Sequence, residues 1–158
     1  MESTKEVSIA KIRWKLFLLG LFKIPLIFFV SPRINFISSE KCIVKIKLKR
    51  RTKNHLNSMY FGAMAVGADI AVGIHTYYLS ESSNCSISLA FKSFSAEFLK
   101  RAETDIVFYC EQGTKIKQMI ETSKSNQKRI NEIIEVNAID KMQETVARFQ
   151  MELSIKVK

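Results

Sequence analysis

The chain has 158 residues, enough for one domain with its own core and without disulfide or metal staples. Hydrophobic residues make up 47% and charged residues 25%, a balance that excludes intrinsic disorder, and eleven phenylalanines promise a core of large side chains. A net charge of +10 suits a partner carrying phosphate (nucleic acid, an anionic membrane surface or a phosphorylated cofactor), or is simply a solvated basic surface.

Residues 1–6 are polar and are expected to fray. Residues 8–29 predict a helix that Pro25 bends or ends. Its apolar run, Leu16 to Val30, is interrupted by Lys23 and Pro25. It is shorter than the roughly 20 residues of a membrane span. It also lacks the small-residue cleavage site of a secretory signal. Lys5, Lys11, Arg13, Lys15 and Lys23 surround its apolar face, which leaves peripheral contact with a membrane surface open.

After the Ser31-Pro32 break, residues 34–50 predict one long strand. Cys42, Val44, Ile46 and Leu48 alternate with Lys45, Lys47 and Lys49, the pattern of a sheet wetted on one side. Residues 57–79 predict a second helix, capped by Asn57 or Ser58. Gly62, Ala63, Ala65, Gly67, Ala68, Ala71 and Gly73 make it small-sided and apolar nearly all round. Such a helix is buried, with other backbone close by. Asp69 and His75 are its only ionisable groups of acid or imidazole type.

Ile87, Leu89 and Phe91 alternate on one parity and Phe94, Ala96 and Phe98 on the other, which predicts a strand with a bulge. Ile106 to Cys110 is the next strand. Gly113 to Ser125 is a short helix with Ile116, Met119 and Ile120 on one face. Ile130 to Ala138 is a strand, Asp140-Lys141 a turn, and Ala147 to Val157 the clearest alternation in the chain. One long apolar helix against a bent antiparallel sheet is an α+β arrangement in a single domain, residues 1–158, with residues 1–30 as a helical extension packed on it.

Cys42, Cys85 and Cys110 show no pairing pattern and read as buried free thiols in a reducing, cytoplasmic setting. With His55 and His75 as the only histidines, no metal site is expected. The basic run at 45–53 has no interleaved aromatics, so no nucleic-acid partner is expected. No nucleophile elbow, P-loop or dinucleotide fingerprint occurs.

This element order, together with the segment Asn54–Asp69 (NHLNSMYFGAMAVGAD), resembles the hotdog-fold acyl-thioesterase superfamily. In its phenylacetyl-CoA-type thioesterases an Asn opens a motif, a His-Gly-Gly follows, and an acid closes it. Here Asn54 stands at the Asn, Tyr60 at the His, Phe61 and Gly62 at the two Gly, and Asp69 at the acid. The run KIPLIFFVSPRINFIS resembles an uncharacterised, DUF4442-like branch whose members often lack the His-Gly-Gly.

The resemblance covers roughly residues 20–157. It implies a hotdog fold, with a long central helix wrapped by a curved antiparallel sheet and an extra N-terminal helix. It further implies an acyl-CoA thioesterase working as a homodimer or dimer of dimers. Its site would lie at the dimer interface, with Asn54 and Asp69 from different subunits. No cofactor is implied beyond the coenzyme A thioester as substrate.

The residues themselves suit that chemistry. Free amides at the start of the central helix could hold a developing oxyanion, with Gly62 allowing close approach and Tyr60 donating a hydrogen bond. Asp69 could be general base or nucleophile. Met59, Phe61 and Met64 could line an acyl slot, and Arg50, Arg51 and Lys53 could meet coenzyme A phosphates. Each has a plainer reading: Asp69 in a buried network, Asn54 in a turn, Tyr60 in the core. A non-catalytic acyl-CoA-binding protein and a membrane-docking protein are the competing functions.

Overall fold

A computed structural model describes residues 7–158; the fraying expected of residues 1–6 lies outside the described residues. The predicted N-terminal helix is two helices, α1 (Ile9–Leu18) and α2 (Pro25–Val30), joined by a π-helical turn at Leu19–Lys23. Pro25 does not bend a continuing helix but opens the second one, where its missing N–H and fixed φ cost nothing. The two helices close on each other at Gly20, where an added Cβ would lie 2.9 Å from the Phe28 backbone nitrogen.

The expected long strand at 34–50 is a hairpin, β1 (Arg33–Ile37) and β2 (Cys42–Ile46). Ser38-Ser39-Glu40-Lys41, four polar residues in a row, form the turn between them. That turn is built by Ser38, whose hydroxyl accepts the N–H groups of Glu40 (3.2 Å) and Lys41 (3.3 Å). Beyond β2 the chain curls into a loop. Thr52 Oγ1 donates to the Lys47 carbonyl (2.8 Å) and accepts the Lys49 N–H (2.9 Å).

The central helix α3 runs from Phe61 to Ser82, later at both ends than the composition suggested. Neither Asn57 nor Ser58 caps it: Tyr60 holds the cap position, and no side chain caps the first-turn amides. Asn57 instead sits at φ +59° within a turn. β3 (Ile87–Phe98), β4 (Ile106–Cys110), α4 (Gly113–Asn126), β5 (Ile130–Ile139) and β6 (Thr145–Val157) follow. The six strands form one antiparallel sheet in the order β1-β2-β4-β5-β6-β3. The predicted bulge in β3 is present, as a register shift between Phe91 and Ser93 against β6.

The sheet wraps α3. Ala68, Ala71 and Val72 are fully buried on the helix, and Phe108, Ile134, Phe149, Leu153 and Ile155 are fully buried on the strands. At Gly67 the helix makes room for the sheet, since a Cβ there would overlap the Phe108 ring. α4 buries Ile116, Met119 and Ile120 as its spacing predicted. His75 is fully buried and meets the Ser38 carbonyl through Nε2 at 3.0 Å, tying α3 to the β1–β2 turn. A carbonyl can only accept, so the proton sits on Nε2. Cys42 and Cys110 are buried opposite one another on β2 and β4, Cys85 is half-buried, and all three thiols are free. Among the described residues no helix is long and apolar enough to cross a membrane.

Candidate functional site

The uncovered stripe of α3 carries Gly62, Ala65, Asp69, Gly73 and Tyr77, residues spaced three or four apart and only partly buried. Asp69 is the one charged group on it. Its carboxyl faces a pocket of about 330 Å³ between α3, the α1–α2 hairpin and β3, lined by Leu19, Ile24, Ile27, Ile74, Tyr77 and Leu89, with Lys15 at its edge. Burial raises the Asp69 pKa above the usual carboxylate range, and no hydrogen bond from the described residues offsets that cost. The plainer reading of Asp69 as a member of a buried polar network therefore finds no partner among the described residues.

Tyr77 contributes a second unpaired polar atom: its hydroxyl is buried without a hydrogen-bond partner among the described residues. The Lys15 ammonium sits 4.2 Å from its ring centre and 3.8 Å from Glu81 Oε1. Sequence reading passed over Tyr77 and the hairpin residues. The spacing 69–73–77 could have revealed Tyr77, whereas Leu19, Ile24 and Ile27 reach the pocket only through packing.

The other expected site residues gather elsewhere. Asn54, Met59, Phe61 and Met64 line a separate cavity of about 380 Å³ at the start of α3, closed by Phe98 and Leu99 at the end of β3. Met59 and Met64 are almost fully buried there, while Phe61 is largely exposed. Asn54 holds the approach loop: its Oδ1 accepts the N–H groups of Leu56 (2.9 Å) and Ser58 (3.1 Å). The Tyr60 ring packs at a tilt of 50° against Phe61, centroids 4.8 Å apart, and covers Gly62, so that a Cβ on Gly62 would lie 2.5 Å from Tyr60 Cε1. Arg50 and Lys53 are exposed on the loop, and Arg51 lies 6.0 Å over the Phe29 ring, beside α2. The two cavities are thus separate within one protomer. Gly62 and Asp69 are seven residues apart on α3, about 10 Å of helix rise and more than one carbonyl group spans.

A buried helix sheathed by one curved antiparallel sheet, with a lone carboxyl two turns along it, defines a hotdog-fold protein. The chain belongs to the family described as Domain of unknown function (DUF4442), whose model matches residues 13–155. No curated relative matches its sequence.

The fold is shared with solved structures of low identity. A Pseudomonas aeruginosa protein of unknown function, described as a probable thioesterase, superposes with a TM-score of 0.81 at 19% identity, over 98% of this chain and 99% of its own. A thioesterase family protein from Silicibacter pomeroyi gives 0.68 at 15% identity, over 96% and 100%. A thioesterase from Haemophilus influenzae gives 0.67 at 10% identity, over 99% and 96%.

Proposed function

We propose that this protein is an acyl-coenzyme A thioesterase that works as a homodimer, with Asp69 as general base. The observation that carries the reading is the half-buried, unpaired Asp69 carboxyl facing an apolar pocket. Its raised pKa makes it a stronger base than an exposed aspartate and brings it nearer the pH at which it works. In the reaction, Asp69 takes a proton from water as the water oxygen bonds to the acyl carbon. The carbon–sulfur bond breaks, and the proton passes to the departing thiolate. A carboxylic acid and free coenzyme A result.

The dimer answers the separation of the two cavities. β3 is a twelve-residue strand at the sheet edge, with no strand on its outer side among the described residues. Such an edge is a ready template for a second strand. Exposed Phe94, Phe98 and Leu99 continue along it toward Tyr60 and Phe61. Pairing two copies along β3 would set the α3 amides and Asn54 of one against Asp69 of the other. Arg50, Arg51 and Lys53, none of which pairs with an acid among the described residues, would receive the coenzyme A phosphates. Free thiols suit a cytoplasmic setting.

The test is release of free thiol from a panel of acyl-coenzyme A esters by the purified protein. Asp69→Asn should lower turnover by roughly 100-fold or more. It should fold at least as well as the parent, because an amide avoids burying charge. Unchanged turnover would remove Asp69 from the mechanism. A second reading, binding without hydrolysis, is favoured by Tyr60 and Phe61 at the His-Gly positions and by the Tyr60 ring over Gly62. Calorimetric binding of an acyl-coenzyme A with no thiol released would select it.

A further inference from the structure

Between Val7 and Ile37 the chain holds Lys11, Arg13, Lys15, Lys23 and Arg33 and no acidic residue. The α1–α2 hairpin in this segment is apolar on both of its sides. Ile12, Leu16, Ile27 and Val30 face inward and are buried, which satisfies the core. Trp14, Phe17, Leu21, Phe22, Leu26 and Phe29 face outward and are 42–71% exposed. The hairpin apex, Leu21 to Leu26, is exposed at every residue and carries Lys23 as its single charge. Trp14 stacks on Phe17 at 5.5 Å and Phe17 meets Phe28 edge-on at 6.0 Å, an aromatic cluster open to solvent. An outward apolar surface of this kind is unfavourable in water and marks an interaction face.

The charges around it indicate what it meets. A groove of about 560 Å³ runs beside the hairpin and contains Arg13, Arg33 and Arg51 between Phe17, Phe28 and Ser31. Arg13 is held in place by two hydrogen bonds to the Ile34 carbonyl, at 2.8 and 3.0 Å. Arg33 and Arg51 have no acidic partner among the described residues. Two acids of α3 face the hairpin: Asp69 on its inner side, across the apolar pocket, and Glu81, which binds Lys11 (2.8 Å) and Lys15 (3.8 Å). A second copy laid on this face would set cation against cation. An anionic bilayer offers apolar depth under a layer of phosphate.

We propose that the α1–α2 hairpin is a docking face for a bilayer of anionic phospholipid. The Leu21–Leu26 apex enters the boundary between headgroups and acyl chains, and Arg13, Arg33 and Arg51 meet lipid phosphates. The protein lies on the membrane and does not span it.

The experiment is co-sedimentation of the full chain with phosphatidylcholine vesicles and with vesicles of phosphatidylcholine and phosphatidylglycerol in equal parts. Emission of Trp14, the only tryptophan in the chain, is followed in parallel. The chain should sediment with the phosphatidylglycerol vesicles and not with phosphatidylcholine alone, with a blue-shifted Trp14 and with loss of binding at high salt. Phe22→Asp combined with Leu26→Asp should bind at least about tenfold more weakly. Lys23→Glu combined with Arg33→Glu should lose the preference for phosphatidylglycerol. All four positions are exposed, so unchanged circular dichroism and melting separate lost docking from lost folding.

The proposal is overturned if the parent chain stays in the supernatant with phosphatidylglycerol vesicles, or if the apex variant binds as well as the parent. It is also overturned if light scattering shows the apex variant changing the chain's oligomeric mass while neither protein binds vesicles, because a second copy would then cover the face.

Discussion

Burial shifts two ionisable side chains of α3, half-buried Asp69 and fully buried His75, in opposite directions. Burial raises the Asp69 pKa and lowers that of His75 from the usual 6.5 to about 4. For His75 the Ser38 carbonyl and the more distant Glu40 oppose that fall without cancelling it. As pH drops below about 6.5 the unfolded chain takes up a proton on this residue that the folded chain refuses until about pH 4. The folded state therefore loses stability through that window, by up to about 3 kcal/mol, and feels nothing from His75 above it. His75→Gln keeps a donor for Ser38 but does not titrate. Urea melts from neutral pH to pH 4 should show the gap between parent and variant shift in the variant's favour by that order as pH falls. The Cys42 and Cys110 thiols are inert by the same physics: burial pushes Cys110 up to about 11 and Cys42 higher still.

At the scale of elements, α3 shows how one residue type can have opposite effects on one helix. Glycine in a helix costs about 1 kcal/mol against alanine, so Gly→Ala should stabilise wherever there is room. Gly73 has room, its nearest neighbour to an added Cβ being Asp69 Oδ1 at 3.8 Å. Gly73→Ala should gain up to about 1 kcal/mol. Gly67 has none, because its Cβ would overlap a Phe108 ring that is fully buried and packed 6.2 Å from Phe149. Gly67→Ala should lose about 1–3 kcal/mol despite the better propensity. Denaturant midpoints at constant m-value measure both. The same sign for both variants would mean that propensity, and not the approach of the sheet, governs this helix.

For the whole molecule, the open outer side of β3 and the aromatic cluster from Tyr60 to Phe98 are the features a partner copy would cover. The Phe61 and Phe98 rings lie 6.4 Å apart, both largely exposed. Phe98→Glu would place a charge at the centre of that contact. Light scattering should give a dimer mass for the parent and a monomer mass for the variant at micromolar concentration. A monomeric parent would end the dimer reading and leave Asp69 and Asn54 in unconnected cavities.

Much of this molecule follows from local periodicity. The small residues of α3 announce a buried helix, although what meets Gly62 and Gly67 is the Tyr60 and Phe108 rings and not backbone; the parity shift at Phe91–Phe94 announces the β3 bulge, and the alternation of Ala147 to Val157 announces β6. Each signal is written in neighbouring residues, because side-chain direction repeats every two or 3.6 positions whatever lies opposite. The Asn54–Asp69 motif is of another kind: it rests on resemblance to a family and not on periodicity, and it departs from that family's pattern at Tyr60 and Phe61.

What the residues face was not legible. The four polar residues Ser38 to Lys41 mark the β1–β2 turn, but the pairing of Arg33 with Lys45 and the Ser38–His75 bond appear only in the structure. The Asp69 pocket is completed by Leu19, Ile24 and Ile27, 42 to 50 residues earlier in the chain, and by Leu89 beyond the helix. The apolar residues of the hairpin divide into an inner set and an exposed outer set only once α1 and α2 have closed at Gly20. The sequence determined which stretches form helix or strand and which faces are apolar. The tertiary structure decided which apolar face meets the core and which stays open, because that choice depends on segments distant in the chain packing against one another.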